Sequence, residues 1–233
     1  MKNEIPSVSL EQMKMVDKLM VESYQISLRQ MMENAGRNLS ELVVNLYPNA
    51  KNIVCIVGAG GNGAGVLVGA RHLKIKGFNV SVQLVSKETS SISESVAEIF
   101  TLRKMGVSVD HVNPNWSSSD LIIEGIVGYS IKGKLKPKLA TLCNDLSTSG
   151  IPIISNDIPS GVHPDDGYID KKCIHASQTL TIALPKKGIM GKHLINVIGE
   201  IYLGNISVPS SLYSEMGIEV NSNLFKTKNV IKL

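Results

Sequence analysis

A chain of 233 residues, 43% apolar and 19% charged, has the length for one large α/β domain and the composition of a water-soluble globular protein. Its formal charge of +4 is scattered and its aromatic content is only 4%, which argues against a nucleic-acid partner. No apolar run approaches membrane-spanning length, residues 1–12 lack an apolar signal core, and Cys55, Cys143 and Cys173 have no metal-ligand spacing, so packing cysteines and a soluble cytoplasmic protein are expected.

Residues 1–50 read as an N-terminal helical section. Ser9 with Gln12 three positions on is a capping-box pattern. Met13, Val16, Met20 and Val21 then recur at helical spacing. The stretch 24–27 breaks the pattern, and a second helix is predicted from Leu28 to Leu46 with Met31, Met32, Ala35 and Leu39 on its buried face. The methionines read as core packing. The apolar run 53–57, bounded by turn residues, predicts a buried strand. Five glycines, Gly58, Gly60, Gly61, Gly63 and Gly65, follow within eight residues, and Val66, Leu67, Ala70 and Leu73 then resume helical spacing.

Strand, glycine loop and helix form the layout of a nucleotide-binding turn. Glycine lets a ligand approach the backbone, and a helix start offers free N–H groups and a positive dipole end to phosphate. Gly58, Gly60 and Gly63 fit G-x-G-x-x-G, but the acidic residue expected about 20 positions later is missing. No G-K-[ST] is present, so the loop is not a P-loop. Further strands are predicted at 80–85, 107–109, 120–125, 151–155, 178–183 and 200–203, and helices at 91–105 and 135–146. This alternation predicts a Rossmann-like three-layer αβα sandwich with a mostly parallel central sheet, built as one domain over residues 1–233. The polar tail 221–233 is expected to be either loose or a docking segment.

In such a sheet, ligands bind beyond the carboxyl ends of the strands, where strand order reverses. There the sequence places the glycine loop with Asn62, then Glu124 and the loop 128–134 with Lys132 and Lys134, then Asn156, Asp157 and Ser160. A phosphate-type loop, two carboxylates, an amide, a hydroxyl and a basic loop thus share one edge. Glu124 ends an apolar strand, where an unpaired carboxylate is costly to bury. It has the alternatives of capping a helix or pairing with a lysine, and the segment 157–161 has that of a simple Pro-Gly turn. His72, His163 and His175 read as satisfied residues rather than ligands.

The segment Met32-Glu33-Asn34-Ala35-Gly36 resembles the MENAG of the YjeF N-terminal domain family. Gly58 to Arg71 is similar to that family's G-x-G-N-N-G-G-D-G-x-V-x-A-R, Gly128 to Gly133 to its G-x-x-x-x-G loop, 157–161 to its D-I-P-S-G, and 183–186 to its late lysine segment. The resemblance runs from about Asp17 to past Lys186 in the family's order. The chain departs from the motif at Gly61, Ala64, Gly65 and Val66, where the family has Asn, Gly, Asp and Gly, and at Glu124, where it has Asp.

The resemblance implies a Rossmann-like fold and NAD(P)H-hydrate epimerase activity, the interconversion of the R and S forms of hydrated NADH and NADPH. Glu124 and Asp157 would be its catalytic carboxylates. Substrate contacts would fall on Gly61, Asn62, Gly63, Ala64 and Gly65, on Gly128, Tyr129, Ser130, Ile131, Lys132, Gly133 and Lys134, and on Asp157. It also implies a bound potassium ion held by Asn62, Glu124 and Ser160 and a separate NAD(P)H-hydrate dehydratase as functional partner. A homodimer is a further expectation from the chain itself, with the methionine-rich helices as one candidate surface. The alternatives are a catalytically impaired relative serving as a nucleotide-binding or protein-interaction module, which the departures favour, and an NAD-dependent dehydrogenase, which the missing ribose acid disfavours.

Overall fold

Short apolar runs place the central strands of this chain, and a computed structural model describes residues 5–88, 91–113, 116–129 and 133–233. Two helices come first, α1 (Leu10–Glu22) and α2 (Leu28–Leu46). The predicted box is formed at α1: the Gln12 N–H donates to Ser9 Oγ at 3.2 Å, and the Ser9 N–H donates to Gln12 Oε1 at 2.9 Å. Ser27 and Gln30 repeat the arrangement at α2. Met13, Met20, Met31 and Met32 are buried, whereas Val21, expected with them, is 44% exposed.

The remainder alternates: β1 (Asn52–Val57), α3 (Gly61–Ile75), β2 (Asn79–Leu84), α4 (Ser93–Lys104), β3 (Ser108–His111), β4 (Leu121–Gly125), α5 (Pro137–Ser147), β5 (Ile153–Asn156), β6 (Gln178–Ile182), α6 (Ile195–Ile198), β7 (Glu200–Gly204), α7 (Ser210–Glu215) and β8 (Val230–Lys232). Among the described residues the strands form one sheet in the order β3-β2-β1-β4-β5-β6-β7-β8. All neighbours pair in parallel except β7 with β8.

The central strands are covered on both sides. Ile53, Cys55 and Val57 of β1 join a core with α2, α3 and α4, while Val54 and Ile56 join a second core with Cys143 and Leu146 of α5. Successive side chains of a strand point to opposite faces, so a parallel strand buried on both sides reads as a continuous apolar run. Cys55, Cys143 and Cys173 are all buried and free, and burial pushes the Cys55 thiol up to about 12. The tail contributes β8, with Ile231 paired opposite Leu203. Among the described residues, no helix is long and apolar enough to cross a membrane.

Chain order reverses between β1 and β4. The carboxyl ends of β1, β4, β5 and β6 therefore lie side by side, and residues of α1 and of the first half of α2 reach the same edge.

Candidate active site

Close backbone approach shapes this edge. A Cβ on Gly58 would lie 1.9 Å from the Ile126 carbonyl oxygen, and one on Gly63 would lie 2.1 Å from the Gly58 oxygen. The glycine loop is thereby pressed onto the loop leaving β4. Gly125 and Gly128 make room for Asn62, whose carbonyl oxygen would be 2.9 Å from a Cβ on Gly125 and whose side-chain Cγ 3.1 Å from one on Gly128. Gly60 and Gly61 are otherwise placed: a Cβ on Gly60 would meet nothing within 4 Å, and one on Gly61 only Met32 Cε at 3.6 Å. No side chain caps the start of α3, so its first N–H groups stay available to an anion.

Beside this loop is a cavity of about 230 Å³. The glycine loop lines it with Gly60, Gly61, Asn62 and Gly65, the β4 loop with Ile126, Val127, Gly128 and Tyr129, and the strand ends with Asn156, Asp157, Ile182 and Lys186. Met13, Asp17, Met31 and Met32 of the first two helices form its cover.

Asp157 and Lys186 form a buried ion pair in its wall, with Lys186 0% and Asp157 2% exposed. The Lys186 ammonium also donates to the Ile182 carbonyl at 3.0 Å and lies 6.0 Å from the Tyr129 ring centroid. Asp157 has φ +66°, an unusual conformation that aspartate tolerates better than most residues. The segment before α1 fixes the lysine: the Val8 N–H donates to Pro185 O, and the Lys187 N–H donates to Val8 O, both at 2.9 Å. Across the cavity wall, the Tyr129 hydroxyl donates to Asp17 Oδ2.

Glu124 and Ser160 lie buried beneath the cavity rather than in its wall. Glu124 Oε2 accepts from Ser160 Oγ at 2.7 Å and from the Ile126 N–H at 3.0 Å, and Oε1 accepts from the Ser160 N–H at 3.1 Å. Burial raises the Glu124 pKa, opposed by these bonds. Asn156 Nδ2 donates to Asn62 Oδ1 at 2.8 Å, leaving Asn62 Nδ2 and Asn156 Oδ1 buried without partners. Among the described residues no lysine, arginine or histidine pairs with Glu124. A buried carboxylate lacking a counter-charge, with the Ser160 hydroxyl at 2.7 Å, is a place where a cation would offset the cost of burial.

The structure thus brings Gly61, Asn62, Gly65, Gly128, Tyr129 and Asp157 to one cavity. Gly63 and Ala64 are packed away from it, and Gly133 and Lys134 are exposed outside it. Ser130, Ile131 and Lys132 lie outside the described residues. At Gly65, where the resembling motif has Asp, a Cβ would meet Asn156 Nδ2 at 3.2 Å, so the missing carboxylate leaves the cavity wider. Nothing in the sequence marks a role for Asp17, and Lys186 stands there only as part of a motif; its signal is a lysine in the apolar run 182–186. Glu33 holds structure: it pairs with Arg71 and with His72 at 2.7 Å, while Arg71 reaches Glu98 at 2.9 Å.

The YjeF-related protein N-terminus family matches residues 28–188, more than half of the chain, and the chain belongs to that family. It is similar to an NAD(P)H-hydrate epimerase of Dehalogenimonas lykanthroporepellens, with 33% identity over 92% of this chain and 87% of the relative. It is 26% identical to an NAD(P)H-hydrate epimerase of Rhodopirellula baltica, over 92% of this chain and 90% of the relative. A bifunctional NAD(P)H-hydrate repair enzyme of Thermofilum pendens is 29% identical over 92% of this chain, which spans 42% of that relative. The crystal structure of yeast ynu0 superposes with a TM-score of 0.85 at 26% identity, covering 98% of this chain and 100% of the other.

Proposed function

We propose that this member of the YjeF-related protein N-terminus family is an NAD(P)H-hydrate epimerase, an isomerase acting on hydrated NADH and NADPH. The observation that carries the reading is the buried Asp157–Lys186 pair in a cavity also lined by a phosphate-type glycine loop. The cavity, about 230 Å³, is below the usual range for a whole drug-sized ligand of about 300–1,000 Å³, so it takes the nicotinamide half. The pyrophosphate then reaches the free N–H groups at the start of α3.

The damaged ring carries a hydroxyl at C6, next to the ring nitrogen. The nitrogen lone pair can expel that hydroxyl to give an iminium, or the ring can open; both erase the stereocentre. Each route needs a proton donor and an acceptor beside the oxygen. In this reading Lys186 donates and Asp157 accepts, held in register by the Ile182 carbonyl and the Val8 bridge. Met13, Met31 and Met32 keep bulk water from the ring.

Asn62, Glu124 and Ser160 would hold a potassium ion, which would supply a fixed positive charge beneath the cavity and balance Glu124. Glu124 then supports the floor instead of touching the ring. A separate NAD(P)H-hydrate dehydratase would consume the S form. The test is to incubate the purified chain with R-hydrated NADH and separate the epimers by chromatography. S epimer appearing faster than in buffer supports the reading, and appearance at the buffer rate overturns it.

A further inference from the structure

The cavity holds a carboxyl group that the reaction above does not use. Asp17 reaches it from α1, lines it together with Lys186 and Asp157, and accepts a hydrogen bond from Tyr129, 112 residues away in sequence. The Tyr129 ring lies between the two groups, its hydroxyl on Asp17 and its centroid 6.0 Å from the Lys186 ammonium. We propose that Asp17 is the proton reservoir of this site: its carboxyl group replaces the proton that Lys186 gives to the departing C6 hydroxyl and takes one back when water returns. The proposal rests on the epimerase reading.

Charge is the reason. Among the described residues, two carboxylates, Asp17 and Asp157, share the cavity with one ammonium, that of Lys186, which is committed to Asp157. A second carboxylate in the same enclosed space favours holding a proton. Burial is the largest influence on Asp17 and raises its pKa. The Tyr129 hydrogen bond and the Lys186 charge oppose that, and Asp157 adds to it. Tyr213 of α7 also faces Asp17, and its own pKa is raised by burial and by the Asp17 charge, so it adds no cation there.

The step balances without a further reactant. The C6–O bond breaks, the oxygen keeps the bonding pair and takes a proton from Lys186, water leaves, and the Asp17 proton passes to Lys186. The ring nitrogen lone pair becomes the C=N bond, and Asp17 is left as carboxylate. On return, a water oxygen bonds C6 from the other face, the C=N electrons go back to nitrogen, and the water's extra proton goes to the cluster and restores Asp17.

The test compares wild type, Asp17→Asn and Tyr129→Phe in pH profiles of epimerisation, with thermal unfolding as the folding control. Asn keeps the shape and can still accept from Tyr129, so Asp17→Asn should fold normally. Its kcat is expected to fall about 100-fold with KM within about threefold, and to lose the alkaline limb of the profile. Tyr129→Phe removes the hydrogen bond that lowers the Asp17 pKa, so its alkaline limb should move to higher pH than in wild type. Asp17→Asn at the wild-type rate at every pH, or an unmoved limb in Tyr129→Phe, overturns the proposal while leaving the epimerase reading intact. A folded wild type with no turnover overturns both.

Discussion

Gly58 and Gly60 sit in one loop and answer different demands. Gly58 exists for a backbone contact, since its Cβ would overlap the Ile126 oxygen at 1.9 Å, while Gly60 faces open space at φ −92°. Gly58→Ala should therefore cost about 1–3 kcal/mol or more, and Gly60→Ala should stay within about 0.5 kcal/mol of wild type, as chemical denaturation would show. The Asp157–Lys186 pair is the other decisive contact at this scale. Asp157→Asn leaves a wholly buried ammonium unpaired and should cost about 3–5 kcal/mol, with much of that recovered in the double variant Asp157→Asn/Lys186→Met. Denaturation midpoints of the single and double variants check this. The glycines were legible in the sequence because backbone freedom is a property of the residue itself. Asp17 was not, because nothing local marks an acid on a helix whose partner is a tyrosine 112 positions away.

At the scale of elements, local signals served well where they were strong. The capping box predicted the start of α1, and the apolar run predicted β1. Ser9→Ala should cost about 1 kcal/mol, seen as a lower melting temperature. It should act on the site as well, since the adjacent Val8 holds the backbone on either side of Lys186. The strand β8 was not legible: three residues in a polar tail carry no period, and their pairing is set by the open edge of β7. The link 157–177 between β5 and β6 carries no helix, yet it delivers Asp157 and Ser160, because the DIPSG turn fixes the chain direction.

For the whole molecule, the parallel sheet explains why the site sits on one edge, and that edge was readable from the alternation of elements. The cover was not. Helical spacing predicted that the methionines of α1 and α2 would be buried, but not that Met13, Met31 and Met32 would roof a cavity, since that depends on where the pair docks. The buried Glu124 makes a second expectation testable on the intact chain. Potassium chloride should raise the melting temperature over choline chloride at equal ionic strength, by about 2.7 kcal/mol of stability at a hundred times the dissociation constant, and Glu124→Gln should lose that gain.

The central claim, that the Asp157–Lys186 pair carries out epimerisation in this cavity, is tested most directly by one rate comparison. R-hydrated NADH is converted by wild type and by the Asp157→Asn/Lys186→Met double variant, each verified as folded, and the S form is followed by chromatography. The account predicts rapid conversion by wild type and a fall of at least about 100-fold in the variant. Conversion by the folded variant at the wild-type rate would contradict it.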